Sequence, residues 1–244
     1  MLAKRKTTAK PNDESAPFQR QKFRDLAFDE KSVAEMTSLG IADLMLMQLP
    51  DGGWSWFSGW GAQSSPHITA TVLHGLHVAA AARAAVPPET IASAMRWLSE
   101  FQAEQVRRLN LWPNNKPHGK EHADNLDALI YLVLVDGGKD DVAMREFLFR
   151  DRVELAVYAK AVFGLALNKI GDRDKLTMIM KNIEQFRKQD DENQTAWLEL
   201  GNQSYWWWWY GSEVQAHAYY LKLLAAVEPK GETCLLYTSP SPRD

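Results

Sequence analysis

Apolar residues recur with helical spacing through most of this chain, and helices with one polar face alternate with helices that are apolar or small on nearly every side. From Asp29, a side-chain cap, the positions Val33, Met36, Leu39, Leu44 and Met47 predict an amphipathic helix that ends at Gln48. Ser65-Pro66 opens a second over 68–85, carrying Ala70, Val72, Leu73, Leu76 and Val78 and therefore buried on most sides. Pro87-Pro88-Glu89 starts a long polar-faced helix to about Leu109, and ADNLDALIYLVLV over 123–135 is another apolar one. Two more couples follow: 140–149 polar-faced with 153–170 apolar, then 172–188 polar-faced with 213–227 apolar. No segment shows the strict alternation of a half-buried strand bounded by turns.

A chain of this kind is solved most simply by an inner and an outer ring of helices, an all-α architecture in the form of an α/α toroid of helical hairpins. The joint between the first two helices is Gln48-Leu49-Pro50-Asp51-Gly52-Gly53-Trp54. Gly52 and Gly53 permit left-handed backbone, Pro50 stops the helix, and Trp54 folds back over its end. In a toroid every outer-to-inner connection emerges at one end, and here those are the long aromatic loops. They carry Trp54, Trp56 and Trp60, then Trp112 with His118 and His122, then Trp197 and Trp206 to Trp209. That end also receives the inner-helix N-termini with their partial positive charge, so it is expected to collect most of the tryptophans, two histidines and Glu213.

Composition changes the picture at the two ends. Residues 1–28 are rich in Lys and Arg at the start (Lys4, Arg5, Lys6, Lys10) and poor in apolar side chains, and read as linker or solvated tail. The last eleven residues, CLLYTSPSPRD over 234–244, match the translation of a transposase-type sequencing adapter and are read as an artefact, which leaves 29–233 as a truncated helical domain. Cys234 is the only cysteine, so the remainder offers no disulfide, thiolate nucleophile or Cys metal site. A net charge of −3 gives no footprint for nucleic acid. No apolar run reaches the roughly 18–20 residues that span a bilayer.

Candidate chemistry is sparse. His118 and His122 have i, i+4 spacing, but Pro117 and Gly119 make their segment loop-like, and no third ligand is evident, so no metal site is expected. His74 and His77 sit among apolar neighbours as core-edge residues. Glu213 is expected to cap the first turn of its helix, with His217 four residues on, able to pair with it on the same face. The run Tyr205-Trp206-Trp207-Trp208-Trp209-Tyr210 is too bulky for every ring to be buried, which leaves two uses open for these aromatics, gap-filling between hairpins or an exposed patch for a partner.

The stretches MQLPDGGWSWFSGWG with ITATVLHGLHVA, MRWLSEFQAEQV, ADNLDALIYLVLVDGG, REFLFRDRVELAVYAKAVFGLAL and WWWWYGSEVQAHAYYLKLLAAVEPK resemble, in order and spacing, the thioester domain of the bacterial alpha-2-macroglobulin family over about 30–230. The resemblance implies a large protease-trapping inhibitor rather than an enzyme, located in the periplasm, in the cell envelope or outside the cell. Its partners would be proteases and neighbouring β-sandwich domains of the same chain; it implies no cofactor. In many members a Cys-Gln thioester captures the protease; its Cys-x-Glu-Gln motif is missing from this sequence. The resemblance makes His118, His122, Glu213, Trp54 and Trp207 candidates for the wall of a thioester pocket, with Asn114 or Asn115 as alternatives to the histidines. Two other classes share an α/α toroid or aromatic loops. Terpene cyclases need an Asp-x-Asp-Asp motif and prenyltransferases a zinc site with Cys, neither of which is present in the natural part. A polysaccharide-active barrel would need paired carboxylates near aromatic platforms, and a non-catalytic aromatic binding module remains open beside it.

Overall fold

A computed structural model describes residues 29–57, 59, 61–112, 116–190, 192, 195–200 and 212–229. Among them lie eight helices: α1 Glu30–Met47, α2 Pro66–Ala81, α3 Pro88–Leu111, α4 Asn125–Asp136, α5 Val142–Arg150, α6 Val157–Ile170, α7 Arg173–Glu184 and α8 Glu213–Val227. Their starts are written in the sequence as side-chain caps. Asp29, Ser65, Asp124, Asp141, Asp172 and Ser212 each accept a backbone N–H of the first turn. At the other end of α6, Gly171 takes the left-handed conformation, φ 80°, that closes a helix.

The helices pack in two layers. α2, α4, α6 and α8 lie side by side as an inner row, while α3 backs onto α2 and α4, and α7 onto α6. The outer α3 also touches α5, its neighbour in the outer row. These contacts establish an all-α stack of hairpins; they do not by themselves close a ring. Gly164 of α6 leaves room for Leu223 of α8 to pack against its backbone. A methyl group at Gly164 of α6 would stand 2.8 Å from Leu223 of α8.

α4 is buried all the way round, from Asp127 to Val135. One side, Ala128, Tyr131, Leu132 and Val135, joins a large core with α5 to α8. The other side, Leu129, Ile130, Val133 and Leu134, joins a second core with α1 to α3 and Trp54. In the larger core Tyr131 and Phe163 meet edge to face, centroids 5.8 Å apart.

Three expectations are corrected. The outer helix read over 172–188 stops at Glu184, and the chain turns into an antiparallel hairpin of β1 Arg187–Asp190 and β2 Thr195–Leu198, in register Arg187 with Leu198 and Asp190 with Thr195. α6 begins at Val157 rather than near Val153, because Lys160 bonds back to the turn carbonyls of Val153 and Leu155. In α1 only part of the apolar stripe packs inward: Ile41 is buried and Leu44 packs half-buried against the second core, but Val33, Met36, Leu39 and Met47 are exposed. Among the described residues α1 touches the other helices only lightly, chiefly α2.

Candidate functional site

The hairpin joint is held by a closely spaced set of hydrogen bonds. Gln48 Nε2 donates to the Gly52 carbonyl at 2.9 Å and to the Thr90 carbonyl of α3 at 3.1 Å. Leu49 N–H donates to the Gly53 carbonyl at 2.9 Å, and Gly52 N–H to the Leu49 carbonyl at 2.8 Å. Gly52 needs its φ of +96° and its lack of a side chain, since a Cβ there would stand 2.7 Å from the Ser93 carbonyl oxygen. A Cβ at Gly53 would likewise stand 2.4 Å from Ser64 Oγ.

Asp51 is the hub. Its Oδ1 accepts Gly53 N–H at 3.1 Å and Ser64 O–H at 2.7 Å, and its Oδ2 accepts the Trp97 indole N–H at 3.0 Å. Burial alone would raise this carboxyl; the three donors outweigh it and hold it below the usual carboxylate range. Trp54 is 2% exposed, its indole N–H donating to Leu44 at 2.7 Å and its backbone N–H to Thr69 Oγ1 at 2.9 Å. The joint thus ties α1, α2 and the first half of α3 together. Next to it, Leu46 and Phe57 are 85% and 82% exposed, with Met47 and Trp56 half exposed.

The second long loop lies against α3, α4 and α5. His118 holds a left-handed backbone, φ 65°, uncommon for a side-chain-bearing residue, pinned by Arg108 Nε donating to the His118 carbonyl at 3.1 Å and Lys120 N–H donating to Arg108 at 3.0 Å. The His118 side chain and Trp112 face solvent. His122 is also exposed; its Nδ1 stands 3.6 Å from Asp151 Oδ1 and its Nε2 3.5 Å from Glu121. Asp151 is buried, and Arg150 and the Ala123 N–H, at 2.6 and 2.7 Å, overcome the cost of burial and keep its carboxyl below the usual range.

At the third connection the expected cap is corrected. Ser212, not Glu213, caps α8, its oxygen accepting Gln215 N–H at 3.2 Å, and Glu213 sits exposed in the first turn. His217 does not meet the Glu213 carboxylate: its Nδ1 lies 2.7 Å from the Glu213 backbone carbonyl and its Nε2 accepts Leu198 N–H at 3.2 Å. The neutral imidazole protonated at Nδ1 satisfies both bonds, and His217 is buried as a clasp between β2 and α8. Trp207, like Trp60, Asn114 and Asn115, lies outside the described residues.

Among the described interactions, no hydrogen bond or ion pair joins any two of Trp54, His118, His122 and Glu213. Trp54 belongs to one core and the His118–His122 loop borders the other. Among the described residues, no group of three or more His, Cys, Asp or Glu is placed to hold a metal ion, and no helix is long and apolar enough to cross a membrane.

Three buried groups escaped sequence reasoning. Lys120 Nζ bridges Asp124 at 2.7 Å and Asp127 at 2.6 Å. Burial and the neighbouring Asp124 push the Asp127 carboxyl up to about 6 against the pull of that lysine. Lys160, 4% exposed, holds the Val153 and Leu155 carbonyls, and desolvation lowers its ammonium below the usual lysine range. Gln102 is buried with its Oε1 unpartnered. For the first two, a charged residue inside an otherwise apolar helix was the available signal.

The geometry defines a class, an all-α stack of helical hairpins braced by a Gln-Asp-Gly-Gly-Trp joint. Solved structures with this fold include native alpha-2-macroglobulin from Escherichia coli. One is a crystal structure spanning domain MG7 to the C-terminus, 22% identical, covering 85% of this chain and 31% of that one, TM-score 0.57. Another is a cryo-EM reconstruction of the native conformation, 23% identical, covering 85% of this chain and 12% of that one, TM-score 0.55. The resemblance read from the sequence therefore holds as a shared fold, and the chain spans under a third of the length of either relative. No family model and no curated protein sequence matches the chain.

Proposed function

We propose that this chain is the helical, thioester-type portion of a bacterial alpha-2-macroglobulin-like protein that traps proteases after bait cleavage. The observation that carries the reading is the fold shared with the Escherichia coli protein over 85% of the chain. The hairpin joint Gln48–Trp54, a carrier of the sequence resemblance, supports it from within, since its bonds brace three helices of that fold. Trapping belongs to the longer protein, with proteases and neighbouring β-sandwich domains as partners and the cell envelope or its exterior as the location. The chain itself performs no catalysis in this reading.

Covalent capture would need the Cys-x-Glu-Gln motif from sequence beyond this chain. If it is present there, His118 is the better candidate to relay the acyl group, since its strained, pinned backbone presents an exposed imidazole. His122 is partly engaged by Asp151 and Glu121.

The test is to recover the complete gene, express its product and incubate it with trypsin. A trap leaves trypsin active on a small peptide substrate but blocked from a large protein substrate. Trypsin that stays fully active on both removes the reading. In the same protein, His118→Ala should lower methylamine incorporation and His122→Ala should leave it near the parent level; the reverse order would reassign the role.

A further inference from the structure

The ring that fastens the β1–β2 hairpin to α8 has a single proton arrangement that fits its bonds. Leu198 N–H can only donate, so His217 Nε2, 3.2 Å away, presents a lone pair to it. The ring proton therefore sits on Nδ1, 2.7 Å from the Glu213 carbonyl. His217 is 5% exposed, which leaves water little access to replace either bond. A second proton can enter only at Nε2, the atom that accepts Leu198. The imidazolium has two donors and no acceptor, so Nε2–H would then face N–H. Protonation and the β2–α8 bond exclude each other.

The hairpin does not depend on that bond for its own shape. Its strands pair from Arg187 with Leu198 to Asp190 with Thr195, and Glu199 N–H donates to the Phe186 carbonyl at 2.7 Å. Charged groups on the elements around the ring are committed elsewhere. On α8, Glu213 and Lys222 are exposed, and Tyr220 O–H donates to Glu184 of α7. Glu184 also pairs with Arg187 of β1 at 2.9 Å, and Lys188 of β1 lies 3.5 Å from Glu199, just past β2. Asp190, at the far end of β1, accepts Glu192 N–H at 3.0 Å. On α6, Lys160 Nζ donates to the Val153 and Leu155 carbonyls.

We propose that His217 is an acid-operated latch: proton uptake at Nε2 releases Leu198 and lets the β1–β2 hairpin part from the first half of α8 while the helical cores stay packed. The hairpin keeps its ladder, so the change is a separation of two elements and not an unravelling. The inference does not depend on the trapping role.

The experiment follows backbone amide exchange and the histidine ring ¹⁵N resonances of the chain from about pH 8 to about pH 5, the span in which histidines change charge. At the upper end the His217 ring should show a bare Nε2 and a protonated Nδ1. Towards the lower end it should take up its second proton, and the protection factor of Leu198 should fall about ten-fold relative to that of Ile130 in α4. His217→Gln places an amide oxygen near the same spot and does not titrate, so its Leu198 protection should keep a constant ratio to Ile130. A protonated Nε2 at about pH 8, a parent Leu198 that tracks Ile130 throughout, or the same loss in His217→Gln overturns the proposal. The ring resonances and the ratio in the parent decide the matter even where His217→Gln folds poorly.

Discussion

Gln48 and Thr90 are joined by a 3.1 Å hydrogen bond across 42 residues of chain, from the end of one outer helix to the first turn of the next. The same nitrogen also donates to Gly52, so one amide group fixes both the shape of the turn and its docking on α3. Gln48→Ala should therefore cost about 1–2 kcal/mol in urea unfolding. Gln48→Glu should cost more, because its carboxylate oxygens would face two carbonyl acceptors. Equal unfolding midpoints for the two variants would show that the donor role is not what matters.

Glycines on the two sides of this joint separate steric need from mere presence. Gly52→Ala meets the Ser93 carbonyl and a positive φ, and Gly53→Ala meets Ser64, whereas a methyl group at Gly40 in α1 meets nothing within 4 Å. The first two substitutions should destabilise by about 2 kcal/mol or more. Gly40→Ala should stabilise by roughly 0.5–1 kcal/mol, the helix-propensity difference. Thermal unfolding of the three proteins orders them; a destabilising Gly40→Ala would mean that α1 is not a plain exposed helix there.

The imidazole of His217 is the acceptor for Leu198 N–H, in a place with little solvent. His217→Leu keeps volume but leaves that N–H unpaired, at a cost of about 1–3 kcal/mol. Amide exchange at Leu198 should quicken in the variant well beyond the global change in stability. An unchanged ratio between the two would place the clasp elsewhere.

Stability should carry a pH slope from Asp127. Its folded carboxyl stands at about 6 against an ordinary 3.8, so protonation favours the fold. That contribution is complete below pH 3.8 and is lost as pH rises through about 6. His67 and His77, which desolvation holds below the usual histidine range, act in the opposite sense, losing stability as pH falls. Asp127→Asn stays neutral and keeps the histidines, so the difference between parent and variant isolates Asp127. Relative to the variant, the parent should lose stability between pH 4 and 7; parallel curves would refute the assignment.

Helices were legible in the sequence where local chemistry decides them. Asp29, Ser65 and Asp172 announce helix starts, and the apolar run of α4 could only be an interior element. The β1–β2 hairpin was not legible, because Arg187-Lys188-Gln189-Asp190 has no alternation to read. Its pairing is instead held by distant partners, the Phe186–Glu199 backbone bond and His217. That most of the α1 stripe is exposed was not legible for a related reason: periodicity shows that a face is apolar but not what covers it. At the joint, Gln48, Gly52 and Trp54 were readable as a turn, yet the Asp51 bond to Trp97 joins residues 46 apart and has no local trace. Gln102 looked like one more polar position on a polar-faced helix, and only its burial sets it apart.

Because α4 has apolar surface on every side and each side belongs to a different core, neither half of the molecule can open while the other keeps its packing. Its backbone amides are placed to be the last to exchange with deuterium, and at a rate set by global unfolding. The 12 residues of α4 therefore make the two halves one cooperative unit, and damage within either reports on both.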